Sequence, residues 1–434
     1  MQSGLIADDL TGALDGGLQL FRMGHAVTVY FPWADLSKSA DSPGFIVLDT
    51  ESRNVDPDEA RKRTRRALSL LADLELPLVY KKIDSTLRGN TGIEISTILD
   101  GTSFDAVLVT PALPKLGRTV KEGMLLLDGV PLAETEFSSD PLAPVKSSAI
   151  AEIISQDGGF DCVLVDGQTV ASAAANPEAF LESLLAERES AISGPTVLIP
   201  DSESDEELKK ISKFAAGCGS RLLPCGSAGL LEYIAGEIDI SPAAAVNKTV
   251  AKGKASAPVL IITASMSAVT RRQIDYVVES GTAAHIKPEK LALTSDAGEA
   301  AAYGRQILGL LRKRQHVVLD VGGRREELPA DQNEAAKRSD RLLKSLSTIV
   351  ATVFDESAEE DIGGLVLGGG ETAITVCRAL KATGIKITGE SEPFVPSGNV
   401  IGGSAAGLGV ITKAGGFGSD TVFADACTYL SNQS

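Results

Sequence analysis

Leu5-Ile6-Ala7-Asp8-Asp9-Leu10-Thr11-Gly12-Ala13 runs from apolar residues through two carboxylates into the start of a helical period. The apolar run Leu5–Ala7 suits a buried strand. From Thr11 the apolar residues recur at helical spacing as far as Met23, and Gly24 offers a helix-ending residue. Strand, polar turn and helix open a βα unit, and the same alternation extends outward. Strand-like runs at 26–31, 45–49, 78–81, 106–110, 162–166 and 196–200 are interleaved with helical patterns at 57–73, 93–99, 178–190 and 204–216. This alternation implies a parallel sheet with helices on its faces.

From about 236 to 258 the chain is rich in Ala, Ser, Lys and Pro without a sustained apolar period, which reads as a linker. A second alternation follows, with strands expected at 258–263, 317–320 and 365–367 and helices at 269–279, 297–312, 333–350 and 372–382. The expected fold is α/β: two α/β domains with mainly parallel sheets, facing each other across a ligand cleft. Residues 1–240 form the first domain, 241–257 the linker and 258–434 the second.

The chain has 434 residues, of which 43% are hydrophobic and 23% charged, the profile of a globular enzyme. A net charge of -17 excludes the broad basic surface that nucleic acid or an anionic membrane requires. Cys162, Cys218, Cys225, Cys377 and Cys427 are scattered and odd in number, so neither a disulfide framework nor a zinc site is expected. The opening residues lack a basic segment followed by an apolar core, and no run of 18 apolar residues occurs. Cytoplasmic localisation is the expectation. His25, His285 and His316 have no metal-ligand spacing, and no metal ligand set is assigned.

Open parallel sheets bind ligands beyond the carboxyl ends of their strands, and polar residues collect at those places. Asp8 and Asp9 follow the first strand, where they could bind substrate hydroxyls or magnesium, or cap the helix. Asp49-Thr50-Glu51-Ser52-Arg53 ends another strand; Arg53 could grip a carboxylate bidentately. Lys81-Lys82-Ile83-Asp84-Ser85-Thr86-Leu87-Arg88-Gly89 combines cations, a carboxylate and hydroxyls suited to an anionic polyol. Lys115 and Arg118 could add positive field. In the second half, Gly368-Gly369-Gly370-Glu371-Thr372 carries a strand into a helix, a shape that cradles phosphate on backbone N–H groups. Ala264-Ser265-Met266-Ser267 and Lys413-Ala414-Gly415-Gly416-Phe417-Gly418 have the same small-residue character. There is no Walker A motif, and no G-x-G-x-x-G after the first strand.

Taken in order, Ile6–Ala13, Lys81–Gly92, Gly117–Thr119, Gly129–Phe137, Asp140–Ser148, Gly226–Leu230 and Gly368–Thr372 resemble the four-carbon acid sugar kinase family over nearly the whole chain. That resemblance implies ATP-dependent phosphorylation of an acid such as threonate, erythronate or 3-oxo-tetronate, with the acid in the N-terminal domain and ATP in the C-terminal one. It places Asp9, Arg53 and Lys82, Ile83 and Asp84 at the acid, and Ser265, Gly369, Gly370, Glu371, Thr372 and Gly415 at ATP. Ala264-Ser265-Met266-Ser267 departs from the family's usual Gly-Ser-Cys-Ser, and Lys413–Gly418 from its usual Lys-Ser-Gly-Asn-Phe-Gly.

With Lys81 and Arg88 added from the same polar segment, the substrate set is Asp9, Arg53, Lys81, Lys82, Ile83, Asp84 and Arg88. Asp8 and Asp84 are the catalytic candidates, and Mg²⁺ is the expected companion of ATP. The partners expected are the acid sugar and ATP, with homo-oligomerisation open. Two rival readings are a haloacid-dehalogenase-type phosphatase using Asp8, and a non-enzymatic two-lobed binder of small acids.

Overall fold

The computed structural model describes residues 2–36, 44–139, 145–156, 159–188, 194–237, 257–288, 296–322 and 332–432. The chain forms two compact units, one of Met1–Val27 with Leu36–Ala245 and one of Thr28–Asp35 with Val246–Ser434. The expected linker at 241–257, apart from Ala257, and the beginning of the 140–148 motif lie outside the described residues.

In chain order the first half runs β1 (Ser3–Ala7), α1 (Leu10–Arg22), β2 (Val27–Tyr30), β3 (Phe45–Asp49), α2 (Pro57–Asp73), β4 (Leu78–Lys82), α3 (Thr91–Gly101) and β5 (Ala106–Thr110). A small antiparallel sheet of β6 (Arg118–Lys121), β7 (Met124–Leu127) and β8 (Val130–Pro131) follows. Then come α4 (Ile150–Ser155), β9 (Asp161–Val165), α5 (Gly167–Ala173), α6 (Pro177–Arg188), β10 (Thr196–Pro200), α7 (Asp205–Gly217), β11 (Leu222–Gly226) and α8 (Ala228–Ile234).

The main sheet of this unit is wholly parallel in the order β3-β1-β4-β11-β5-β10-β9. Every residue of β1, β3, β5, β10 and β11 is buried, which is why these strands read as unbroken apolar runs rather than alternations. From β1 the chain passes to β3 on one side and then to β4 on the other, so the ends of β1 and β4 form a topological switch point. Helix starts are chemically marked. Asp9 stays extended and accepts from the Gly12 N–H at 2.7 Å, Asp56 precedes Pro57, and Ser204 with Glu207 forms a capping box.

The second half runs β12 (Val259–Thr263), α9 (Ala268–Glu279), β13 (Ala283–Ile286), α10 (Ala297–Leu311), β14 (His316–Asp320), α11 (Gln332–Glu356), β15 (Gly364–Gly368) and α12 (Gly370–Ala379). It closes with β16 (Gly384–Glu392), β17 (Val395–Ile401), β18 (Gly409–Lys413) and α13 (Val422–Ser431). Its strands are ordered β13-β14-β12-β15-β18-β17-β16-β2, parallel from β13 to β18 and antiparallel thereafter. Val259, Ile261, Val318, Val366 and Ile411 pack on Ile274, Val277, Phe423 and Leu430 to make its core. Here too the chain turns from one side of β12 to the other, between β14 and β15.

One boundary departs from the expected 1–240 domain. Thr28–Asp35 belongs to the C-terminal unit because Thr28, Val29 and Tyr30 pair with Lys386, Ile385 and Gly384. The Trp33 indole N–H donates to the Ala382 carbonyl at 2.7 Å, and the Arg378 guanidinium lies 4.7 Å from the ring. Strands β11, β13 and β16–β18 were not expected from the sequence. Pro224 interrupts the apolar signal of β11 although its place beside Leu108 is central, and β16 carries Lys386, Thr388, Glu390 and Glu392 among its apolar residues. Among the described residues no helix is long and apolar enough to cross a membrane.

Candidate active site

Three strand ends of the N-terminal unit, after β1, β3 and β4, converge on Arg53. Its Nε and Nη2 donate to Asp8 Oδ2 and Oδ1 at 2.8 and 2.9 Å, while Nη1 and Nη2 donate to Asp9 Oδ2 and Oδ1 at 2.7 and 2.6 Å. One guanidinium thus holds two carboxylates, each bidentately. Asp84 Oδ1 lies 3.9 Å from Arg53 Nη1. Asp84 is itself clasped by Thr86 Oγ1 at 2.5 Å and by Arg88 Nε and Nη2 at 2.7 and 3.1 Å. The loop that carries it reverses through Leu87 (φ 52°) and Gly89 (φ 95°), and a Cβ on Gly89 would lie 2.7 Å from Arg53 Cγ. Glycine is therefore needed there both for backbone conformation and for the close approach.

Behind this layer, Lys81 is fully buried and its Nζ pairs with Glu94 Oε2 at 2.5 Å. The other Glu94 oxygen accepts from Ser52 Oγ at 2.6 Å, linking the pair to the residue before Arg53. Lys82 is also buried; its Nζ donates to the Ile83 carbonyl at 2.9 Å and comes within 3.2 Å of where a Cβ on Gly12 would sit. Glu51 has the left-handed φ of 48° and accepts from the Leu10 N–H at 3.2 Å, beside the Asp9 cap.

These contacts divide the carboxyl groups. Burial works to raise Asp8, but the charge and hydrogen bonds of Arg53, with Lys81 and Lys82 beyond, hold it below the usual carboxylate range. For Asp9 burial wins over Arg53, and the neighbouring Asp8 charge adds to it, so its pKa is raised. Asp84 is driven far down because Arg53 and Arg88 outweigh its burial. Burial, and then the charge of Asp9, push Glu51 up to about 7.

In the C-terminal unit, the loops after β12, β15 and β18 come together beside the second switch point. Thr372 Oγ1 accepts from the Ala264 N–H at 3.0 Å, and the Gly369 N–H donates to the Lys413 carbonyl at 2.8 Å, so each loop is tied to another. Gly369 (φ 102°) starts α12 with no side-chain cap. A Cβ on Gly415 would meet Ser265 Oγ at 3.1 Å. The Gly415 carbonyl accepts from Ser267 Oγ at 2.5 Å and Thr270 Oγ1 at 3.0 Å. Arg271 donates to both oxygens of Asp320 at 2.8 and 2.7 Å, and to the Ser265 carbonyl at 2.5 Å, bracing the first loop against the end of β14.

The structure thus brings Asp8, Asp9, Arg53, Lys82, Asp84 and Arg88 to one place, and Ser265, Gly369, Gly370, Thr372 and Gly415 to another; Glu371 stands exposed on the first turn of α12. Lys81 and Ile83 have fully buried side chains, so neither presents a side-chain atom at the surface. Lys115 pairs with Glu232, and Arg118 donates to the Leu116 carbonyl. Sequence reasoning missed Glu94 as a member of the constellation, and gave Glu51, within the quoted Asp49–Arg53 run, no role. Glu94 is one turn into a helix, where a lone acid carries no signal of its own, whereas Glu51 stands two residues before a recognised arginine.

Residues 3–234 match the model of a sugar-binding N-terminal domain, and residues 260–423 that of a nucleotide-binding C-terminal domain. The chain is 33% identical to a D-threonate kinase of Salmonella typhimurium, covering 98% of this chain and 97% of that one. It is 28% identical to a D-erythronate kinase of Heliobacterium modesticaldum, covering 98% and 96%. A solved Salmonella typhimurium structure, 23% identical over 98% of both chains, superposes with a TM-score of 0.79 and shares the fold. With both domain models matched in order and a relative one-third identical along its full length, the chain belongs to the four-carbon acid sugar kinase family.

Proposed function

We propose that this protein transfers the γ-phosphoryl group of ATP to a hydroxyl of a four-carbon acid sugar, binding the acid in the N-terminal unit and the nucleotide in the C-terminal unit. The observation that carries the reading is the Asp8–Arg53–Asp9 double fork at the end of β1. A polyhydroxy acid asks for cations at one end and carboxylate acceptors at the other, and this cluster offers both within a few ångströms. Arg53 commits most of its donors to Asp8 and Asp9 and Arg88 turns Nε and Nη2 to Asp84, so the substrate carboxylate meets the combined positive charge of Lys82, Arg53 and Arg88. Asp9, whose side chain is 18% exposed, accepts the substrate hydroxyls. Asp84, kept ionised by two guanidinium groups, aligns the attacking hydroxyl; a loose phosphoryl-transfer transition state needs alignment more than a strong base.

At the nucleotide end, the first-turn N–H groups at Gly370–Thr372 are donors that an α-helix leaves without intrahelical partners, so they suit phosphate. Among the described residues no three Asp, Glu, His or Cys side chains converge on a metal position. Magnesium, which takes one or two carboxylates beside phosphate oxygens and water, would neutralise charge there without such a cluster. The phosphatase alternative is disfavoured because Asp8, its nucleophile, is 2% exposed with both oxygens on Arg53.

The test is a coupled ADP-release assay with D-threonate, D-erythronate and 3-oxo-tetronate, the acids named for the relatives. Turnover is expected with at least one, and Asp84→Asn should lower kcat about 100-fold, within the range for a positioned acid-base group. ADP release with none of them, or phosphate release from a phosphorylated acid without nucleotide, would overturn the reading.

A further inference from the structure

Lys413 is 3% exposed yet has no carboxylate within ion-pairing distance among the described residues. Its ammonium is surrounded by oxygens instead: Ala414 O at 3.0 Å, Phe417 O at 3.1 Å, Gly415 O at 3.3 Å and Thr270 Oγ1 at 3.3 Å. Beside it, the fully buried Gln273 donates through Nε2 to Phe417 O, Gly418 O and Ser419 O at 3.1, 3.1 and 2.9 Å. Two buried side chains thereby turn five consecutive or near-consecutive carbonyls of one loop toward the protein.

The consequence follows from the peptide unit. No cis bond occurs, and in a trans peptide the N–H points opposite to the carbonyl before it. With carbonyls 414, 415, 417 and 418 facing inward, the N–H groups of 415, 416, 418 and 419 face outward. Ser419 N–H is taken by Glu392 Oε2 at 2.9 Å, whereas those of Gly415, Gly416 and Gly418 have no hydrogen-bond partner among the described residues. All three are glycines, and a Cβ on Gly416 would meet nothing within 4 Å. The result is an array of backbone donors open to an anion, of the kind called a nest.

We infer that Lys413 and Gln273 are positioning residues for the nucleotide: they contact none of its atoms but hold the 414–419 loop in the one orientation that presents these N–H groups to phosphate oxygens. This rests on the reading of the C-terminal unit as the nucleotide site and adds the device that shapes it. A lysine in an oxygen cage acts here as a tethered cation, adding a charged donor to carbonyls that the Phe417 N–H, Ser267, Thr270 and Gln273 also reach.

The experiment measures the dissociation constant of ADP with magnesium by calorimetry on the full chain, a readout that needs no knowledge of the acid. Lys413→Ala and Gln273→Met should each weaken ADP binding about tenfold, the cost of losing one well-placed interaction. Ethylammonium added to Lys413→Ala should refill the cage and restore binding, and should do nothing for Gln273→Met. A purely structural role would lower the melting temperature of both variants without ethylammonium rescue, and that outcome overturns the inference. So does unchanged ADP affinity in Gln273→Met should Lys413→Ala fail to fold. Gly415→Val separates the two levels: if it leaves ADP binding intact, the loop is not at the nucleotide and both readings fall; if it abolishes binding while Lys413 and Gln273 variants bind normally, only the positioning role falls.

Discussion

An arginine shared by two carboxylates behaves differently from one in a single surface pair, because removing it strands two buried charges. Arg53→Met should destabilise the protein by about 3–5 kcal/mol in urea unfolding, the range for breaking a buried ion pair, and abolish ADP release. Arg53→Lys should recover part of the stability and little of the turnover, since a point charge cannot serve two forks at once. Glu51 gives a pH signature. Its folded pKa of about 7 lies above the ordinary value of 4.5, so the folded state holds the proton more tightly and loses stability as pH rises through that window. Glu51→Gln should flatten the fall in melting temperature between about pH 5 and pH 7; an unchanged slope would place that titration elsewhere. At this scale the sequence was partly legible. Asp9, Arg53 and Asp84 stand out because they end strands, but Lys81 and Lys82 look alike on paper. Successive strand side chains point to opposite faces, and only the fold says which face carries Glu94.

Helix starts are the elements most exposed in sequence, and they also separate stability from function. Ser204→Ala removes the α7 capping box and should cost about 1 kcal/mol without changing ADP release. Gly12→Ala at the start of α1 should do the reverse of what a helical glycine usually predicts. Alanine would ordinarily add roughly 1 kcal/mol of helix stability, but here its Cβ would sit 2.8 Å from Asp9 Oδ1, and Arg53 prevents that oxygen from moving aside. A raised KM for the acid with little change in ADP affinity is the expected outcome; an unchanged KM would show that Asp9 has room to shift. Strands were legible where burial on both faces made them continuously apolar. Pro224 hid β11, and the polar residues of β16 hid the antiparallel end of the second sheet.

Trp33 is the sole tryptophan, and besides the neighbouring Phe31 ring its indole contacts Ala382 and Arg378, far away in sequence. Its fluorescence should therefore report the unfolding of the C-terminal unit. ADP with magnesium should move the tryptophan transition to higher urea by mass action, whereas an acid-sugar ligand alone should move it less. The opposite order of effects would assign Trp33 to the N-terminal unit. Taken over the whole chain, the sequence by itself determined the α/β class, the strand ends where charged and glycine-rich loops gather, and the family, because periodicity and motif order are local properties that survive without partners. The tertiary structure alone decided that Thr28–Asp35 joins the second unit, that Arg53 serves Asp8 and Asp9 together, and that Lys413 faces carbonyls instead of solvent. Those choices depend on which surfaces meet across separations as long as the 349 residues between Trp33 and Ala382, and a local pattern records that a residue is to be buried without recording against what. The run Leu5–Ala13 thus marked where the site would be, and its pairing with Arg53 decided how Asp8 and Asp9 divide the work.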